Sequence, residues 1–186
     1  NLQRSMSLIA NAIARFEPVV VMADARLHPV VREQLQGKVE LWPIATDDLW
    51  SRDSGPTVVK TLDGRRAVAH ITFNGWGNKQ RHPNDGQIAR RVAERIGLPL
   101  LETGLVGEQG GVESDGDGTL ISHVSSWVNP NRNRGSKSEI GAKLLKALGG
   151  QKIIWAPGVK GADITDYHID ALARFIGPGR VLIQLP

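Results

Sequence analysis

Apolar residues recur along this chain in two alternating periods. Leu8, Ile9, Ala12, Ile13 and Phe16 fall at helical spacing, and the short apolar run over residues 18–24 reads as a buried strand. Residues 39–44, "VELWPI", predict a second strand, and "PTVVKT" and "RAVAHITFN" flank the "LDG" turn at residues 62–64 as two arms of a hairpin. The scheme then recurs. Ile88, Val92 and Ile96 mark a helix stopped by Gly97 and Pro99, followed by the apolar "LPLLE", an acidic Gly-rich loop and a strand over "GTLISHVSSWV". Ile140, Leu144, Leu145 and Leu148 mark another helix, stopped by Gly149 and Gly150. After it come the strand "KIIWAPG", the polar "ADITDYHIDALARF" and a last strand "RVLIQL".

The class is α/β, and the order reads as three units of helix, strand, polar loop and strand, with Asp53, Glu108 and His168 at comparable places. Identity between the units is slight, so on pattern alone an ordinary α/β alternation stays open beside a repeat. Repeats bury their apolar faces on neighbours, which brings their polar loops to one end around a shared site.

Composition adds exclusions. At 186 residues with 40% hydrophobic content the chain suits a folded, soluble domain and not a disordered one. No apolar run nears the roughly 20 residues of a membrane span, and the N-terminal stretch carries no recognisable secretory leader, although one already removed would leave no trace. No membrane partner and a cytoplasmic setting are expected. The formal charge of +4 raises nucleic acid as a partner. The basic residues are spread out, however, with the densest run at residues 129–137, and the few aromatics do not interleave with them, so no nucleic acid is expected. With no cysteine in the sequence, disulfides and thiolate metal sites are excluded.

Candidate chemistry begins at "DDLWSRDSGP", residues 47–56. Asp53 before Gly-Pro reads in isolation as an Asx turn or cap, but Trp50 beside it is costly to leave at a loop tip unless it covers a ligand. Glu108 opens "EQGG", where glycines let the backbone approach something closely; alone it reads as a solvated loop carboxylate. "ESDGDGT" lacks the ligand spacing and terminal Glu of a calcium loop and reads as a hairpin turn, so no metal is expected. His168 and Asp170, two apart on an extended segment, face the same way, and such a carboxylate orients the imidazole. His28, His70, His82 and His123 read as structural or surface residues. If the three loops meet, their carboxylates, imidazole and tryptophan suit a flat cation rich in hydrogen-bond donors. Guanidinium fits best, because its planar fork pairs bidentately with carboxylates.

Taken in order, "DDLWSRDSGP", "FNGWGNK", "EQGGVESDGDGTL", "NPNRN" and "DITDYHID" resemble the agmatine deiminase and bacterial peptidylarginine deiminase family of the guanidino-group modifying pentein superfamily, from about Phe16 to the C-terminus. The resemblance implies a pentein fold: ββαβ-type units around a pseudo-fivefold axis, with the active site on that axis. About three of the five units are expected here, residues 1–186 forming a single incomplete domain. It implies a hydrolase converting a guanidino group to a ureido group plus ammonia without a cofactor, agmatine to N-carbamoylputrescine first, as in polyamine biosynthesis and arginine metabolism. Deimination of peptidyl-arginine to citrulline is the enzymatic alternative, and a non-catalytic guanidino-binding protein is a third reading.

By motif position, Asp53 and Asp170 grip the guanidinium, His168 is the general acid and base, Glu108 is a further substrate carboxylate and Trp50 walls the pocket. The partner implied is a small guanidino compound, and a homo-oligomer is left open. The sequence departs from the family pattern in three ways. The family's nucleophile is a cysteine near the end of a chain about twice this length, and none is present here. Tyr167 stands where the family usually has Gly before the histidine, and Gln109 replaces the first Gly of Glu-Gly-Gly.

Overall fold

The computed structural model describes residues 2–184, which divide between Asp47 and Asp48 into two compact units. The first holds α1 (Leu2–Ile13), β1 (Val19–Met22), α2 (His28–Gln34) and β2 (Val39–Trp42). β1 and β2 pair in parallel, Val19 opposite Val39 and Met22 opposite Trp42, the pairing that a helical crossover produces. α1 stops at Ile13, so Phe16, expected on its apolar stripe, lies beyond it and is 85% exposed. Pro18 disfavours helical backbone at Glu17, so the helix could not have run on into the strand.

The second unit repeats one cycle. A single helical turn, α3 (Ser51–Ser54), leads into the antiparallel hairpin of β3 (Thr57–Lys60) and β4 (Arg66–Thr72). A second short turn, α4 (Gly75–Asn78), and the longer α5 (Ile88–Ile96) carry the chain back, and β5 (Leu100–Val106) lies parallel beside β4. The cycle restarts with a 3₁₀ turn at Gln109–Gly111, the hairpin of β6 (Val112–Ser114) and β7 (Thr119–His123), the short α6 (Val124–Trp127), α7 (Lys137–Leu148) and β8 (Lys152–Ala156), parallel to β7. A 3₁₀ turn at Ile169–Ala171 opens it again with the hairpin of β9 (Ala173–Gly177) and β10 (Arg180–Ile183).

The repeat is therefore hairpin, helix and parallel strand, offset from the helix, strand, loop and strand expected. "RVLIQL" is the second arm of a hairpin and not a closing strand, and its Leu185 lies outside the described residues. The polar segment before it ends in β9, whose side chains alternate from buried Ala173 to exposed Arg174 as a half-buried strand should.

"GTLISHVSSWV" likewise splits. The strand ends at His123 and α6 turns inward, so that Trp127 is fully buried with its indole Nε1 donating to Gly111 O at 2.8 Å. That tertiary contact overrides the strand preference of Val124 and Trp127. The ring packs so closely on Gly107 that a Cβ there would lie 2.6 Å from Trp127 Cζ3.

Around this indole lies the core: Ile71, Leu105, Val112, Leu120, Ile140 and Leu144. α7 presents Ile140 and Leu144 to it and starts at a capping box, in which Ser136 accepts from Glu139 N and the Glu139 carboxylate accepts from Ser136 N. Among the described residues no helix is long and apolar enough to cross a membrane. Leu144→Ala, at a fully buried position, is expected to lower the unfolding free energy by about 2–5 kcal/mol. Leu101→Ala, 42% exposed, should change it by less than about 1 kcal/mol, both read from denaturant midpoints.

Candidate active site

The three one-turn segments that open the cycles, α3, Gln109–Gly111 and Ile169–Ala171, pack in sequence against one another. α3 carries Asp53, Glu108 immediately precedes the second turn, His168 precedes the third and Asp170 lies within it. They meet at Gly110. A Cβ on that residue would lie 2.6 Å from His168 Nδ1, 2.7 Å from Asp53 Oδ1 and 3.0 Å from Asp170 Oδ2, so only glycine leaves the meeting point open.

A cavity of about 700 Å³ opens here, lined by Trp50, Asp53, Trp76, Tyr167, His168 and Asp170 among others. Asp53 is nearly buried; its Oδ2 accepts from Trp76 Nε1 at 2.9 Å and its Oδ1 from Gly110 N at 3.2 Å. Burial pushes its carboxyl above the usual carboxylate value, against the lowering by a charged His168 and by the Trp76 bond. Trp50 is 55% exposed and forms part of the wall at its rim.

Asp170 does not orient His168. Its Oδ2 accepts from Arg52 Nε at 2.7 Å, and Arg52 also pairs with Glu113, which Arg174 approaches at 3.3 Å. The pairing of His168 with Asp170 expected from their spacing is absent, because the backbone leaves extended geometry after His168 and enters the 3₁₀ turn. The carboxylates that do face the imidazole come from other cycles: Glu108 Oε2 lies 3.2 Å from Nε2 and Asp53 Oδ1 lies 3.7 Å from Nδ1.

Glu108, expected as a substrate carboxylate, is 1% exposed and does not line the cavity. Its two oxygens accept from Arg132 Nε at 3.0 and 2.9 Å, and it lies behind His168. Arg132, with a side chain 0% exposed, also donates from Nη1 to Asp166 Oδ2 at 2.7 Å and from Nη2 to Thr165 O at 3.1 Å. Asp166 receives further bonds from Asn131 and from Gly161 N and an ion pair from Lys79 at 2.8 Å. Burial works to raise its carboxyl, but the bonds from Lys79, Arg132 and Asn131 outweigh it and hold the group well below the usual range.

Arg132, Asp166, Trp76 and Lys79 escape a reading of the sequence as site residues, although all lie inside the motifs "NPNRN", "DITDYHID" and "FNGWGNK". Tyr167 has φ 77°, a conformation natural to glycine, and follows Asp166 at φ 59°. Its N donates to Asp163 Oδ1 at 3.1 Å, its O lies 2.8 Å from His123 Nδ1, and its ring stacks on His123 at 5.1 Å. His123, read as structural, thus holds the loop that ends in His168. Gln109 donates from Nε2 to Gly55 O at 2.6 Å, fastening its turn beside the end of α3. Among the described residues no group of three or more His, Cys, Asp or Glu is arranged to hold a metal ion.

The model of the Porphyromonas-type peptidyl-arginine deiminase family matches residues 1–186. The chain belongs to this family. An agmatine deiminase of Ectopseudomonas mendocina is 37% identical over 191 residues, covering 97% of this chain and 51% of that protein. Among solved structures, the agmatine deiminase of Enterococcus faecalis superposes with a TM-score of 0.91 at 27% identity, over 100% of this chain and 53% of that one. A C. jejuni agmatine deiminase solved with substrate bound gives 0.79 at 27% identity, over 95% and 53%. The deiminase-family fold here is the pentein fold, and the chain spans about half the length of the curated relatives it matches.

Asp166→Asn tests the buried network. A carboxyl held low in the folded state contributes stability above its ordinary value and loses that contribution as pH falls through the folded value. At pH 7 the variant should be about 3–5 kcal/mol less stable than the parent, since Arg132 loses a buried partner. In urea titrations the gap should narrow as pH drops below about 4.

Proposed function

We propose that this chain carries the substrate-gripping and proton-transferring part of a guanidino-group hydrolase whose first substrate is agmatine, giving N-carbamoylputrescine and ammonia. The convergence of Asp53, His168 and Asp170 on Gly110 carries this reading. Asp53 and Asp170 present carboxylate oxygens to one space, suited to the in-plane donors of a guanidinium, while Trp50 and Trp76 supply aromatic wall. The guanidinium carbon is a poor electrophile, so holding it in place against the nucleophile is a large part of the task.

A nucleophile adds to that carbon, and His168 protonates the nitrogen that leaves as ammonia. Water then attacks, gives a proton to His168 and releases the ureido product as the bond to the nucleophile breaks. The 186 residues hold no cysteine, so a thiol in this role comes from residues outside them. Residues 1–186 are accordingly read as part of one pentein domain completed elsewhere. A cytoplasmic setting belongs to the same proposal, since the substrate is a small soluble cation.

Peptidyl-arginine is the second reading, favoured by the half-exposed Trp50 at the cavity rim. Ammonia release by the full chain from agmatine should exceed that from a peptide ending in arginine; the opposite preference would reverse the order. Asp53→Asn should weaken agmatine binding by about 1.5–3 kcal/mol through loss of a charge-assisted bond. Gly110→Ala should abolish turnover, because its Cβ takes the space between His168 and Asp53. Saturable agmatine binding without turnover in the full chain would instead support a non-catalytic guanidino-binding protein.

A further inference from the structure

Arg132 is the most completely desolvated charge near the cavity, yet it does not line it. We propose that Arg132 is the positioning residue for His168: by fixing Glu108 it commits imidazole Nε2 to carry a permanent proton and leaves Nδ1 as the nitrogen that exchanges protons during the reaction. This rests on the guanidino-hydrolase reading.

Three observations carry it. First, Arg132 Nε is shared between both oxygens of Glu108 at 3.0 and 2.9 Å, so that carboxylate cannot rotate without breaking a buried ion pair. Second, Glu108 Oε2 faces His168 Nε2 at 3.2 Å. A carboxylate only accepts, and a bare imidazole nitrogen only accepts, so the contact is attractive when Nε2 bears hydrogen. Third, Nδ1 has no hydrogen bond of its own among the described residues: Asp53 Oδ1 is 3.7 Å away, and the vacant Cβ position of Gly110 is 2.6 Å away, on the side where Asp53 and Asp170 meet.

The same guanidinium also holds the other end of the histidine's placement. Its Nη1 and Nη2 bind Asp166 Oδ2 and Thr165 O, in the loop that runs directly into His168. A lysine supplies a point charge but not this fork. In turnover, Nδ1–H gives its proton to the departing amine and recovers one from the attacking water, while Nε2–H stays on Glu108. The charged groups near the imidazole are Glu108, Asp53, Asp170 and, within its own loop, Asp163, whose carboxyl burial works to raise but bonds from Thr165 and Tyr167 hold below its ordinary value.

Nitrogen-15 NMR of the full chain labelled in its histidines, with the His168 signals assigned by their loss in His168→Gln, reads the tautomer in the unmutated protein. Neutral His168 should show a protonated Nε2 and a bare Nδ1; the reverse would overturn the proposal. In kinetics, Arg132→Gln should lower kcat for agmatine about 10²–10⁴-fold, the range seen when a catalytic histidine loses its orienting partner, with KM little changed. The acidic limb of the kcat–pH profile should move to higher pH, because Glu108 loses its compensating cation. Arg132→Lys should restore the limb but not kcat. Equal losses in kcat and substrate affinity with an unmoved limb would reduce Arg132 to a structural residue and overturn the assignment. If no guanidino compound is turned over, the hydrolase reading falls, and the NMR tautomer still decides which nitrogen Glu108 holds.

Discussion

Two full charges, Glu108 and Arg132, face each other where solvent does not reach, and the surroundings of the cavity make that arrangement tolerable. Removing one ion from water costs several kcal/mol even after relaxation, and a buried pair recovers this only when its remaining donors and acceptors are also satisfied. Asp166, Lys79, Asn131 and the Thr165 carbonyl supply that satisfaction. The network therefore ties together the turn after β4, the segment before β6, the loop after α6 and the loop before β9. Those segments together fix the place of His168.

The cavity side of the assembly follows a different rule. There His168 Nδ1 makes no hydrogen bond among the described residues, and Asp53, although each of its oxygens accepts one bond, is pushed above the usual carboxylate value by burial. Asp170 differs, since Arg52 already places a guanidinium nitrogen on one of its oxygens. A well-satisfied layer behind, with one open imidazole nitrogen and a desolvated carboxyl in front, is the arrangement expected of a site that trades local stability for reactivity.

Much of this was legible in the sequence, for stated reasons. Helices and strands showed through their periods, and Trp50 stood out because an indole is costly at a loop tip, while Asp53, His168 and Asp170 gained their roles from the motifs taken together and not from their local chemistry. The β3–β4 and β6–β7 hairpins showed through their turns, "LDG" and "DGDG", whereas the pairing of β9 with β10 was not legible, because an alternation of four or five residues does not name its partner. α6 was hidden because a distant carbonyl, Gly111 O, draws Trp127 inward. Glu108 was visible as a residue but not as to which way it faces. Arg132 looked like one member of a surface basic run, since its partners Glu108 and Asp166 lie 24 and 34 residues away in sequence. The local proximity of His168 to Asp170 misled for the converse reason, as neighbours in sequence were parted by one tight turn.

Gly110 has a consequence for how the molecule assembles. The groups gathered around its missing methyl, Asp53, His168 and Asp170, come from distant segments, and the neighbouring bond from Arg52 to Asp170 spans 118 residues. No hairpin or helix contains the site in miniature, so closing these long loops precedes any reward from the contacts made there, and such contacts form slowly. On a ribosome, the cavity cannot exist until the loop bearing His168 has emerged, however well the earlier cycles have folded. The cavity thus appears only when residues far apart in sequence meet at the smallest one.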